Sequence, residues 1–325
     1  MLPNFSYVRV HSVKEALEHL SSGKTCIHAG GTDLLGCLEK NLIAADKVVS
    51  LGRLSDLKGV REEGGGVRIG ALTSISELAR HPVIVEKYRA LSQAAAQVAS
   101  PQLRNQGTLG GNLCQKPRCW YYRGEFDCLR KGGEICYAVV GDNRFHCIFG
   151  GDPCYIVHPS DTAAALVALE AEVRITGPGG TRAVPLEDFF VTPEKDVRKE
   201  TSLERGEILM EVVVPVPAPG SVSSYRKVRA RNSWDFALAG VAIVLGMSGG
   251  TVKKCRVVLS GAAPIPWRSR EAEQALQGQS LGAEVIARAA EAAVSKAQPL
   301  DHNAYKIPMF RGLLEQELKK LASLL

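Results

Sequence analysis

Six of the nine cysteines in this 325-residue chain crowd into one stretch: Cys114, Cys119, Cys128, Cys136, Cys147 and Cys154. The other three, Cys26, Cys37 and Cys255, are scattered through apolar contexts, where a thiol acts as a small hydrophobe. A concentrated set of thiols restricts what its segment can fold around: a disulfide framework, a zinc ion or an iron–sulfur cluster. The start, MLPNFSYVRVHSVKEALEHL, has no basic region followed by an apolar one, so no secretory signal is expected. No apolar run approaches the length of a membrane span. A chain this long can bury a large core without staples, and dense disulfides belong to small secreted domains. The cysteines are therefore expected to be reduced thiolates holding metal, in a cytoplasmic protein with no membrane partner.

The net charge of +6 is spread thinly, and the densest basic cluster is Arg226-Lys227-Val228-Arg229-Ala230-Arg231. With no run of five basic residues, a solvated surface is the expectation and nucleic acid is not an expected partner.

Along the chain, Ser12 with Glu15 three residues on reads as a capping box opening a helix. Thr25–His28, Val48–Leu51 and Val67–Gly70 read as strands, and Leu91–Val98 as an Ala-rich helix. Ser160–Ala171 is expected to be helical, and Val173–Thr176 and Glu211–Pro215 to be strands. The Pro-rich segment 215–222 marks a boundary between a first domain, 1–216, and a second, 220–325. Beyond it come expected strands at Tyr225–Val228, Gly240–Gly246 and Cys255–Ser260. Helices follow near Glu271–Leu276 and Ala283–Lys296, with a last one from Phe310. Strands and helices mix without strict alternation, which predicts an α+β fold.

Two diglycine turns, Gly30-Gly31 and Gly110-Gly111, each follow a segment read as extended. Glycines without a Cβ let successive backbone N–H groups close on an anion, and the hydroxyls of Thr32 and Thr108 add donors. Neither turn has the spacing of a Rossmann fingerprint or a P-loop. Each alone is more often an ordinary tight turn; the pair, each with its threonine, brings the phosphate reading level with it.

Ordered strings carry a resemblance across the chain: Ala29-Gly-Gly-Thr-Asp-Leu-Leu35, Ile69-Gly-Ala-Leu-Thr73 and Arg104-Asn-Gln-Gly-Thr-Leu-Gly-Gly-Asn112. They continue through Ser160-Asp161, Gly206-Glu-Ile-Leu209, Tyr225-Arg-Lys227 with Arg231, and Trp234-Asp-Phe-Ala237. Together they resemble the FAD-binding subunit of the molybdenum hydroxylases, a family that includes xanthine dehydrogenase, carbon monoxide dehydrogenase and 4-hydroxybenzoyl-CoA reductase. The resemblance runs from the first residues to about Arg311. It implies a vanillyl-alcohol-oxidase (PCMH-type) FAD-binding fold of two α+β subdomains, followed by a C-terminal α+β domain. It also implies that Ile27, His28, Ala29, Gly30, Gly31, Thr32, Asp33 and Leu34, with Thr108, Gly110, Gly111 and Asn112, wrap the FAD pyrophosphate. Asp161 would bind the ribityl or adenosine part, and Leu209 and Lys227 would flank the flavin. Asp161 reads equally as a helix-start residue favoured by the helix dipole.

In typical members the Gly-Gly-Asn turn runs almost directly into the Ser-Asp motif. Here Asn112 and Ser160 are 48 positions apart, so residues of about 114–156 look inserted. The contexts Arg118-Cys119-Trp-Tyr-Tyr and Cys128-Leu-Arg-Lys-Gly-Gly resemble flavin subunits of 4-hydroxybenzoyl-CoA reductase and of bacterial aldehyde oxidoreductases that carry a [4Fe–4S] cluster. That resemblance implies Cys119, Cys128, Cys136 and Cys154 as ligands, with Cys147 the alternative to Cys154 and Cys114 a bystander. Cysteine spacing alone fits neither a ferredoxin run nor a zinc ribbon, and leaves zinc and iron–sulfur both open. The flavin neighbourhood favours iron–sulfur. His146 and His158 are expected to be polar loop residues.

The expected function is electron transfer through FAD and one [4Fe–4S] cluster, with no catalytic acid or base of the chain's own. Expected partners are a molybdopterin-binding large subunit, a small [2Fe–2S] subunit and an external carrier, ferredoxin or NAD. The alternatives are a stand-alone flavin oxidoreductase with a structural metal site, and a zinc-stabilised interaction module without FAD.

Overall fold

The computed structural model describes residues 1–21 and 23–324. Its first layer is small: strand β1 (Ser6–Arg9), helix α1 (Val13–Leu20), strand β2 (Thr25–His28), helix α2 (Leu34–Glu39) and strand β3 (Lys47–Ser50). The strands pair in parallel in the order β1-β3-β2, which requires the helical crossovers that α1 and α2 supply. Ser12 caps α1 by accepting from the Glu15 amide at 3.1 Å, as the sequence predicts. Ala16 and Leu20 of α1 close a core with Val10, Val49 and Leu51.

The second layer is antiparallel. It comprises β4 (Val60–Glu63), β5 (Gly66–Gly70), helices α3 (Ile75–Arg80), α4 (Pro82–Lys87), α5 (Arg89–Ala96), α6 (Pro101–Gln106), α7 (Leu109–Leu113), α8 (Trp120–Arg123) and α9 (Asp161–Ala168), then β6 (Glu172–Gly177), β7 (Gly180–Pro185), α10 (Leu186–Phe189) and β8 (Ile208–Val214). The strand order is β4-β5-β8-β6-β7. Every residue of α9 is buried, as a helix apolar on all faces must be.

The third layer holds β9 (Ser221–Val228), β10 (Ala239–Ser248), β11 (Thr251–Ser260), β12 (Trp267–Arg268), α11 (Arg270–Leu276), α12 (Ala283–Ala292) and α13 (Lys306–Ala322). Its antiparallel sheet, β12-β11-β10-β9, is buried on both sides. Val241, Ile243 and Leu245 alternate toward the terminal helices, while Ala242 and Val258 face the core built on α5 and α9.

Several boundaries differ from the sequence expectation. The helix expected from Phe310 starts at Lys306, because Pro308 falls in the first turn, where its missing N–H costs nothing. The helix expected to Lys296 ends at Ala292, and the Ala-rich helix is shifted to Arg89–Ala96. The strand expected at Glu211–Pro215 begins at Ile208. Gly110-Gly111 does not follow a strand: it lies inside α7, behind its N-cap Thr108. Among the described residues, no helix is long and apolar enough to cross a membrane.

Candidate functional site

A two-lobed groove runs between the first two layers and out to the third. One lobe, about 370 Å³, is walled by Ile27 and Leu34 on one side and by Ala71, Leu72 and Leu209 on the other. The second, about 360 Å³, is walled by Asn112, Asp161, Lys227, Trp234 and Phe236. Both lobes share Thr32, Asp33, Thr108, Gly111 and Gln115, so the two diglycine segments form a waist between them. Of the flavin-site residues expected from sequence, all but His28 line one lobe or the other.

The glycines at the waist are required by close approach. A Cβ on Gly30 would stand 1.9 Å from the Gln106 carbonyl oxygen, so the first turn packs backbone to backbone on the lead into α7. Gly31 has φ +72°, and a Cβ there would meet the His28 ring at 2.8 Å. His28 thus backs the turn rather than facing the groove, and burial lowers its pKa. A Cβ on Gly110 would meet that of Ala71 at 2.9 Å.

The two segments differ in what their amides offer. The N–H groups of Gly30, Gly31, Thr32 and Thr108 have no acceptor among the described residues. Those of Gly110 and Gly111 are taken, donating to Ala71 O at 2.8 Å and Thr108 Oγ1 at 3.2 Å. The anion-binding capacity therefore sits in the first turn and at Thr108, while the second diglycine serves packing.

In the second lobe Asp161 is buried and accepts from Tyr225 Oη at 2.6 Å and Lys227 Nζ at 2.7 Å. Each of its oxygens therefore has a donor from the protein, leaving only remaining lone pairs for a ligand hydroxyl. Burial and the Asp161 charge push the Tyr225 pKa well up, so its proton stays. Asn112 Oδ1 accepts from Ser160 Oγ at 2.5 Å and Thr162 Oγ1 at 2.7 Å. These bonds span 48 and 50 positions, and they draw together the two ends of the inserted segment.

Within that segment all six thiols are free. Cys119 lies near Cys128 and Cys136, and Cys136 lies near Cys154. The neighbouring Cys154 thiol holds the Cys136 pKa down. Burial pushes Cys119 up to about 11 and Cys147, which neighbours Cys136, up to about 12. Cys114 stands apart, with Glu200 and Lys116 as its charged neighbours. Among the described residues, no three His, Cys, Asp or Glu side chains gather round a point that could hold one metal ion. Four thiolates on the corners of an iron–sulfur cube stand farther apart than ligands of a single ion, and an all-thiol donor set suits that cube. Cys119, Cys128, Cys136 and Cys154 are the side chains of this neighbourhood that could hold such a group.

His146 Nε2 lies 3.3 Å from Cys119 Sγ, and burial lowers the His146 pKa to about 4. His158 accepts from the Ser160 amide at 3.4 Å and packs edge-on to Phe190. Sequence reasoning missed the basic side chains that brace the thiols. Arg118 and Arg123 reach Asp33, and Lys116 and Arg130 reach the buried Glu200. No local pattern signals such pairs, whose members are 84, 85, 90 and 70 residues apart.

The family described as FAD binding domain in molybdopterin dehydrogenase matches residues 3–217, and the CO dehydrogenase flavoprotein C-terminal domain matches 195–321. The chain is 35% identical over 321 residues to the aldehyde oxidoreductase FAD-binding subunit PaoB of Escherichia coli (strain K12), covering 97% of both chains. It is 30% identical over 301 residues to the carbon monoxide dehydrogenase medium chain of Hydrogenophaga pseudoflava, covering 92% of this chain and 89% of that one. A solved structure of carbon monoxide dehydrogenase from that organism superposes with TM-score 0.78, covering 97% and 96% of the two chains at 30% identity. On this match over nearly its whole length, the chain belongs to the FAD-binding subunits of the molybdenum hydroxylase family, oxidoreductase subunits with the PCMH-type FAD-binding fold.

Proposed function

We propose that this chain is an electron-transfer subunit that binds FAD in the two-lobed groove and one [4Fe–4S] cluster on Cys119, Cys128, Cys136 and Cys154. The observation that carries the reading is the waist. Two lobes of similar volume joined where unpaired amides face the groove suit a ligand whose two ring systems are joined by a diphosphate. Bound FAD supplies one- and two-electron redox chemistry. The chain's own part is to bind and orient: amides of Gly30–Thr32 and Thr108 take the diphosphate, and Leu209 lies along one lobe. The Asp161–Lys227 pair fixes a charge in the wall of the other. Residues 1–216 form the flavin domain and 220–325 the C-terminal domain of the subunit.

The relatives named as medium chains and FAD-binding subunits support an assembly with a molybdopterin-binding large subunit and a small [2Fe–2S] subunit. An external carrier, ferredoxin or NAD, would exchange electrons with the complex.

The test is the visible spectrum of the anaerobically purified chain together with flavin, iron, sulfide and zinc analysis. One flavin, four irons and four sulfides per chain are expected. Flavin without iron would remove the cluster, and a colourless zinc protein would remove both. Flavin bleaching by a substrate added to the chain alone would instead make it a self-sufficient oxidoreductase.

A further inference from the structure

Asp33 belongs to the first glycine turn, yet its carboxylate points its hydrogen bonds at the inserted segment. Oδ2 accepts from the Lys116 amide at 2.7 Å, and Oδ1 accepts from Arg118 Nη1 and from Arg123 Nη2 at 2.7 Å. Although Asp33 is the N-cap of α2, its side chain makes no capping bond there. Arg118 immediately precedes Cys119, and Arg123 ends the helical turn that follows it. Arg123 also donates to Pro117 O at 2.7 Å, clasping the chain just before that cysteine. The carboxylate is three-quarters or more shielded, and with two guanidinium groups it is a charge-assisted, multidentate junction.

We propose that Asp33 is a positioning residue that couples the two cofactor sites: one carboxylate fixes both the turn that takes the FAD diphosphate and the loop that presents Cys119. This rests on the functional reading above and deepens it. The turn's amides and the thiol loop share a rigid connector, so ordering one must order the other. By linkage, whatever factor FAD adds to the order of the loop, an ordered loop returns to FAD affinity. Glu200, which grips Lys116 and Arg130, holds the far side of the loop to the second layer and leaves Asp33 as the link to the turn itself.

The test uses the full chain purified anaerobically, iron-free, with FAD as the probe, and reads amide hydrogen exchange of residues 115–124 by mass spectrometry with and without FAD. The wild-type chain should exchange these amides about tenfold more slowly with FAD bound. In Asp33→Asn, FAD should still bind, about tenfold more weakly by flavin fluorescence, and the slowing should vanish. Arg123→Gln, which leaves the glycine turn untouched, should do the same, and the double variant should be no worse than either single one. Equal slowing in Asp33→Asn, no slowing in the wild type, or additive losses in the double variant each overturn the proposal. Because the exchange is read without iron, a chain that couples as described but never takes up a cluster would fail the cluster assignment and leave the latch standing.

Discussion

At the scale of single residues, the groove is held by contacts that only one side chain, or none, can make. Gly30 is the sharpest case, since a methyl there would overlap a backbone oxygen that has nowhere to move. Gly30→Ala should lose FAD uptake and about 2–3 kcal/mol of stability, read by urea denaturation with flavin fluorescence alongside. Gly36, in α2 with open space round it, is the control: Gly36→Ala should add about 0.5–1 kcal/mol and leave FAD binding alone. Equal effects from the two substitutions would refute this account of the waist. The glycines and their threonines were legible in the sequence because glycine has a local meaning. Their division of labour was not: whether an amide is spent on a neighbour or left open depends on where Ala71 and Gln106 arrive. The same holds for Asp33, whose partners in the insertion lie more than eighty residues away and leave no mark near it.

At the scale of elements, α9 is the piece on which the second lobe and the insertion depend. Ser160 caps it, accepting from the Ala163 amide at 3.0 Å, and also donates to Asn112. Ser160→Ala removes both bonds at once. It should cost about 1–2 kcal/mol, and the lost anchor on Asn112 should weaken FAD, seen together in a thermal melt and a flavin titration. A melt unchanged within error would show that the cap contributes nothing. Most strands and the long helices were readable from periodicity, since their apolar faces repeat at two or at three to four residues. The short helices α3, α4 and α6 escaped because one or two turns carry too few apolar positions to set a period. The N-terminal edge of α13 escaped because Pro308 reads as a stop when it is in fact a permitted start.

For the whole molecule, the insertion behaves as a keystone. It donates to the third layer through Ile148 N and His158 N, which reach Ala262 and Ala263, and receives Asn303 and the fully buried Lys306. His158 is buried and its pKa is lowered to about 4 from 6.5 by desolvation. Between those values the unfolded chain takes up a proton that the folded chain refuses, so stability falls as pH falls from 6.5 to 4, by up to about 3 kcal/mol from this residue. Above 6.5 the term vanishes. Urea midpoints measured across that window should drop more steeply for the wild type than for His158→Asn; parallel lines would show that His158 is not the acid-sensitive group. A segment that leaves and re-enters through a single doorway, Asn112 facing Ser160, has a further consequence: it can be exchanged as a cassette. A short loop spliced across that doorway would leave the paths of α7 and α9 unbroken. Exchanging the thiol loop would keep the chain's path around the nucleotide, and would require new partners for Asn303 and Lys306 of the third layer.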